Sequence, residues 1–127
     1  MSEKTILIVE DNEVQREGLA VVLRKEGYNA VSAMCGDEAV GIVERVVRPD
    51  LILLDMMIPS PDGWRFMAMR KDNPALAAAP VVIVTALGVA SPEWAESLGA
   101  CGLIRKPVET AHLLAEVRRR LGDEPPA

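Results

Sequence analysis

The chain has 127 residues and a mass of 13.7 kDa, with 50% hydrophobic and 26% charged residues; this fits one soluble globular domain and excludes disordered, collagen-like and disulfide-scaffold classes. Fourteen Lys and Arg against nineteen Asp and Glu leave a net charge of −5, which weighs against direct nucleic-acid binding because such binders carry a basic face. The two cysteines, Cys35 and Cys101, lie far apart and form no CxxC pair, which suits a reducing compartment and argues against a zinc site.

Glu3 and Lys4 precede a very short apolar run, so no signal peptide is expected. Thr5–Val9 is rich in β-branched residues with no polar alternation, the pattern of a strand buried on both faces. Asn12 can cap a helix over Glu13–Glu26 that stops at Gly27. Ala30–Ala33 is a weaker apolar run that suits an edge strand. Gly36-Asp37 opens a helix to about Val47, with Pro49 beyond its end. Leu51–Leu54 reads as a second buried strand, and Asp62-Gly63 opens a helix over Trp64–Lys71 that Asn73-Pro74 closes. The uncharged stretch Pro74–Pro92 is broken by Pro80, Thr85, Gly88 and Ser91, so it does not read as a membrane span.

Within that stretch, Val81–Val84 is a third buried strand, and Ser91-Pro92 is a cap with proline at the first helical position. That helix should end near Leu98-Gly99. Gly102–Ile104 is a second weak run at a sheet edge. Thr110 can cap a last helix, where Leu114, Val117 and Leu121 repeat at helical spacing. Strand and helix alternate five times, which predicts an α/β domain whose parallel strands are covered on both faces. There is no internal repeat.

Open parallel sheets bind ligands outside the carboxyl ends of their strands. The residues just past the runs are Glu10 and Asp11, then Asp55, then Thr85, then Lys106. Three carboxylates on one rim repel, at about 4 kcal/mol for each pair about 4 Å apart with an effective dielectric near 20. A fold tolerates that with a compensating cation, and hard oxygen ligands suit Mg²⁺, which keeps waters and favours a phosphate partner. Lys106 adds a positive charge for a phosphoryl oxygen, and Thr85 can donate a hydrogen bond to it. The plainer reading is a solvated acidic rim with one lysine ion pair.

In this order and spacing, Val9-Glu10-Asp11, Pro49–Asp55, Pro59 with Asp62-Gly63, Pro80-Val81, Thr85-Ala86, Gly99-Ala100 and Lys106-Pro107 resemble the bacterial response-regulator receiver domain, from Ile6 to about Leu121. The resemblance implies a receiver domain over residues 1–122, with Asp123–Ala127 a polar tail or the start of a linker. It implies a three-layer (βα)5 flavodoxin-like fold with a five-stranded parallel sheet in the order 2-1-3-4-5. Asp55 matches the aspartate that accepts a phosphoryl group from a phosphohistidine. Glu10 and Asp11 match the acidic pair that holds Mg²⁺ with Asp55, and the Met57 carbonyl matches the remaining protein ligand. Thr85 matches the hydroxyl that reports phosphorylation, Lys106 the ammonium that binds the phosphoryl group, and Pro107 the proline usually preceded by a cis bond.

The implied partners are a sensor histidine kinase or histidine phosphotransfer protein and a downstream protein target, in the cytoplasm, with no direct nucleic acid and no membrane insertion. The implied role is a phosphorelay receiver rather than an enzyme, catalysing only its own phosphorylation and slow dephosphorylation. It would be stand-alone or a fragment of a longer regulator. Two rivals are a receiver-like binding module that is never phosphorylated and an aspartyl-phosphate phosphatase. The second wants an aspartate two residues after the nucleophile, where Met57 stands.

Several positions depart from the pattern. Leu103 stands where most receivers carry Tyr or Phe, so switching is expected to be weaker or read out elsewhere. Val108 stands where an aromatic is common, and Leu87–Pro92 is more apolar than usual, a partner patch, a mobile loop or a loop packed on its own helix. The Met57 side chain could gate water at the acceptor, whereas Met67 and Met69 read as packing residues. Trp64 is expected to staple its helix, Trp94 to be partly buried, and His112 to lie on the surface. Arg118-Arg119-Arg120 spread about 100° apart round a helix, so they form no single basic face. Cys35 and Cys101 fall at opposite rims of such a sheet and should not pair.

Overall fold

The computed structural model describes residues 4–122. Five strands, β1 (Thr5–Val9), β2 (Asn29–Ala33), β3 (Leu51–Leu54), β4 (Val81–Thr85) and β5 (Gly102–Arg105), form one parallel sheet in the order β2-β1-β3-β4-β5. The helices are α1 (Glu13–Lys25), α2 (Gly36–Arg45), α3 (Gly63–Arg70), α4 (Pro74–Ala77), α5 (Pro92–Ser97) and α6 (Thr110–Leu121). The architecture is the expected three-layer flavodoxin-like fold, with the two weak runs at its edges. The polar tail expected at Asp123–Ala127 lies outside the described residues.

The absence of polar alternation in the inner strands follows from two separate apolar layers. Leu7, Val9, Ile52, Leu54, Val81 and Ile83 face one layer with Ala39, Val43, Phe66, Met67, Leu76 and Ala95 from α2 to α5. Their neighbours Ile6, Ile8, Leu51, Leu53, Val82 and Val84 face the other, with Leu19, Leu23, Leu113 and Val117 from α1 and α6. Successive strand side chains point to opposite faces, so both faces need apolar residues. Each fully buried aliphatic side chain contributes roughly 1.5–3 kcal/mol.

Asn12 caps α1 by accepting the Gln15 N–H at 2.9 Å, and Gly27 takes a φ of +93° just beyond that helix. Asp62 caps α3 through the Arg65 N–H, and Ser91 caps α5 through the Trp94 N–H. Beyond one-residue shifts at other element ends, three features differ from the sequence reading. Asn73-Pro74 ends α3 but also starts α4, because Asn73 Oδ1 accepts from the Ala75 and Leu76 N–H groups. Thr110 is the first residue of α6; Glu109 holds the cap position without a side-chain bond. α2 stops at Arg45, where the Val46 and Val47 N–H groups both turn back to the Ile42 carbonyl.

The basic run at the end of α6 is divided among acids. Arg118 pairs with Glu26, while Arg119 and Arg120 pair with the buried Glu116. His112 is exposed, and both cysteines are free. Among the described residues no helix is long and apolar enough to cross a membrane.

Candidate functional site

The β1–β3 ladder places Val9 opposite Leu54, so the next residues, Glu10 and Asp55, leave adjacent strands side by side. Their main chains are held by the sheet: the Glu10 N–H donates to the Ala33 carbonyl and the Asp55 N–H to the Val9 carbonyl, each at 3.0 Å. Asp11 follows Glu10 and is exposed, whereas Glu10 and Asp55 are buried. One carboxylate oxygen from each of the three lies within 4.8 Å of the others.

Lys106 enters from the end of β5. Its Nζ donates to Glu10 Oε1 at 2.7 Å and to Asp55 Oδ2 at 3.2 Å. The Lys106-Pro107 bond is cis, as is Ser60-Pro61. Asp55 Oδ1 accepts the Met57 N–H at 3.1 Å, and Glu10 Oε2 accepts the Asn12 N–H at 3.1 Å. Burial lifts the Glu10 carboxyl above its ordinary range; the Lys106 bond and the Asn12 amide oppose this, and the Asp55 charge adds to it. Burial depresses the Lys106 ammonium, but the joint pull of Glu10 and Asp55 exceeds that and leaves it raised. Lys106 is therefore cationic at neutral pH.

One ammonium among three carboxylates leaves an excess of negative charge in a set of hard oxygen donors, which fits a divalent cation of the Mg²⁺ type. The Met57 main chain sits beside Asp55, and its side chain is 61% exposed at the rim.

Thr85 is the expected rim residue that joins this cluster least directly. It is fully buried, and its Oγ accepts the Leu87 N–H at 3.1 Å instead of meeting the carboxylates. Its carbonyl accepts the Lys106 N–H at 2.9 Å, which ties it to the lysine through the main chain.

The sequence reading missed three contacts. Arg16 reaches back from α1 to donate to the Glu10 carbonyl at 2.9 Å and the Asp11 carbonyl at 3.4 Å. Its signal was a cation in the first turn of a helix, where the dipole disfavours it. Arg105 donates to the Leu87 carbonyl at 3.2 Å and also to the Ala90 carbonyl. Trp64 and Trp94 meet edge to face, ring centroids 6.3 Å apart and planes at 76°, joining α3 to α5. Met67 packs in the core as expected, whereas Met69 remains 38% exposed.

A groove of roughly 390 Å³ opens beside Glu10 and Lys106. Its walls are Gln15, Leu19 and Val22 of α1 and, across from them, Val108, Thr110 and Leu113.

Comparison with known proteins agrees with this geometry. The family model of the response regulator receiver domain matches residues 6–118. The polar-differentiation response regulator DivK of Brucella anthropi is 32% identical over 121 residues, covering 94% of this chain and 98% of the relative. The chemotaxis response regulator CheY4 of Vibrio cholerae superposes with a TM-score of 0.84 at 26% identity, covering 94% of this chain and all of that one. The receiver domain of a Pseudomonas aeruginosa sensor histidine kinase, solved with a magnesium ion coordinated in its active site cleft, gives a TM-score of 0.84 at 28% identity. That alignment covers 96% of this chain and all of the other.

Proposed function

The chain belongs to the response regulator receiver domain family of two-component signalling, and on that premise we propose that Asp55 accepts a phosphoryl group from a phosphohistidine on a sensor histidine kinase or histidine phosphotransfer protein. The observation that carries this reading is the position of Asp55. It is a buried carboxylate with Lys106 on one oxygen, the Met57 amide on the other, and two further acids within ligand reach.

Glu10, Asp11, Asp55 and the Met57 carbonyl are the groups that would hold Mg²⁺. When bound, the ion supplies positive charge to the equatorial oxygens of the transferring phosphoryl group. Lys106, cationic and within 3.2 Å of Asp55, is placed to follow the incoming phosphoryl oxygens. In the transfer the phosphorus–nitrogen bond breaks as a phosphorus–oxygen bond forms on Asp55, and the electron pair leaves on the imidazole. The groove between α1 and Thr110–Leu113, which Glu10 and Lys106 also line, is the seat for a helix of the phosphodonor partner.

The product is an acyl phosphate with about two negative charges beside Lys106. Thr85 donates a hydrogen bond from its hydroxyl to a phosphoryl oxygen, and the segment after β4 follows. The changed surface is read by a downstream protein in the cytoplasm. Self-phosphorylation and slow dephosphorylation are the chemical acts of the domain, which signals instead of turning over a substrate.

Incubation with Mg²⁺ and acetyl phosphate followed by intact mass measurement tests the assignment. The wild type should gain the mass of one phosphoryl group, and Asp55→Asn and Asp55→Ala should gain none. No gain in a wild type that binds Mg²⁺ would leave a receiver-like binding module instead. Repeated release of phosphate from small esters would favour a phosphatase.

A further inference from the structure

Thr85 and Arg105 are register partners on the parallel strands β4 and β5, so their side chains leave the same face of the sheet. They grip one residue from two sides. Thr85 Oγ accepts the Leu87 N–H, while the Arg105 guanidinium donates to the Leu87 carbonyl. The same guanidinium holds the Ala90 carbonyl, and the Ala90 N–H returns to the Leu87 carbonyl at 3.2 Å. Residues 86–90 are thus fastened to β5 by one side chain, and the next residue of β5's own chain is Lys106.

We propose that Arg105 is a positioning residue that latches the segment 86–90 in the resting state, so that phosphorylation at Asp55 must work against its grip on the Leu87 and Ala90 carbonyls. The proposal rests on the reading of Asp55 as phosphoryl acceptor. The Thr85 hydroxyl keeps its own proton to donate, but where it holds the Leu87 amide it meets none of the carboxylates, so serving a phosphoryl oxygen on Asp55 shifts the side chain, and the Leu87 peptide shifts with it or is released. Arg105 holds the far side of the same residue and resists the move. Leu103, two residues earlier and on the same face, packs into the apolar layer with Ile83 and has no polar atom to share in the exchange. The polar link between this face of β5 and the segment therefore falls to Arg105.

Coupling of this kind is reciprocal: a latch that opens when the phosphoryl group binds must weaken that binding. Removing the latch therefore strengthens it, whereas loss of a merely structural contact would weaken binding or leave it unchanged. Arg105 is exposed on its outer side, so replacing it leaves the core intact.

The test uses the full chain with Mg²⁺ held constant and beryllofluoride as the phosphoryl analogue, titrated calorimetrically into wild type, Arg105→Ala and Arg105→Lys. In Arg105→Ala the affinity for beryllofluoride should rise at least about threefold, as expected for the loss of hydrogen bonds from a charged donor. Arg105→Lys, able to serve one carbonyl, should fall between. Amide exchange of Leu87 and Ala90 in the resting protein should quicken in Arg105→Ala. Unchanged or weakened beryllofluoride binding, or unchanged exchange at those two amides, overturns the latch. A wild type that fails to bind beryllofluoride, with exchange still quickened in Arg105→Ala, sinks the acceptor reading of Asp55 and leaves Arg105 as the anchor of the segment.

Discussion

Lys106 Nζ lies 2.7 Å from Glu10 Oε1, closer than its 3.2 Å approach to Asp55. The ammonium is shared, and the acid that resembles a pure metal ligand takes the shorter contact. Removing the ammonium strands two buried carboxylates. Lys106→Met should destabilise the metal-free protein by about 2–3 kcal/mol, the low side for a broken buried pair because the lysine keeps some contact with solvent. Mg²⁺ should then raise the urea midpoint more in the variant than in the wild type. Equal midpoints with and without Mg²⁺ in both proteins would contradict the shared-charge account.

The same site predicts a pH dependence. Burial holds the Glu10 carboxyl above its ordinary value of 4.5, so its contribution to stability is full below that value and is lost as pH rises through the folded value. The raised Lys106 ammonium loses its contribution only above its ordinary 10.5, outside this window. Glu10→Gln should therefore gain on wild type in metal-free stability as pH is raised from about 4 to about 7. Urea titrations across that range would show the difference widening; a constant difference refutes it.

Gly63 packs directly on Met56, the residue after Asp55. A Cβ there would lie 2.5 Å from Met56 Cα and 2.9 Å from its carbonyl oxygen, and main chain cannot swing aside. Gly63→Ala should cost about 2–3 kcal/mol by overpacking and weaken Mg²⁺ binding, since Met56 carries Asp55 with it. Gly18, within α1, has open space around its added Cβ. Gly18→Ala should stabilise by about 1 kcal/mol. Thermal and urea unfolding of the two variants, with a Mg²⁺ titration of the first, decide both.

The edge-to-face pair of Trp64 and Trp94 ties α3 to α5. A double-mutant cycle with Trp64→Ala and Trp94→Ala should return a coupling of about 0.5–1 kcal/mol. A coupling near zero would mean that the two rings only share a surface.

The inner strands were legible because Ile6–Val9, Leu51–Leu54 and Val81–Val84 are apolar at every position, which only a sheet covered on both faces requires. Glu10 and Asp55 were legible because each directly follows such a run, Asp11 because it comes next after Glu10, and Lys106 because it lies just past the weaker run at the sheet edge. α4 was not, since Asn73-Pro74 has the chemistry of a helix stop as well as of a cap with proline at the first position, and four residues show no periodicity. The mistaken cap at Thr110 has a similar origin: hydroxyl residues suit the cap, but here the extended backbone falls one residue earlier. Arg16, Arg105 and the tryptophan pair act across loops and helices, and nothing near them in the chain encodes the reach of a guanidinium or the meeting of two rings.

Glu10 and Asp55 are spaced by the hydrogen-bond ladder between β1 and β3 and not by any helix. The spacing of the two acids therefore rests on main-chain hydrogen bonds between paired strands in the interior of the sheet, while the helices pack outside it. Such a division lets the outer surface of α1 or α5 diverge in sequence without retuning the distance between the two acids.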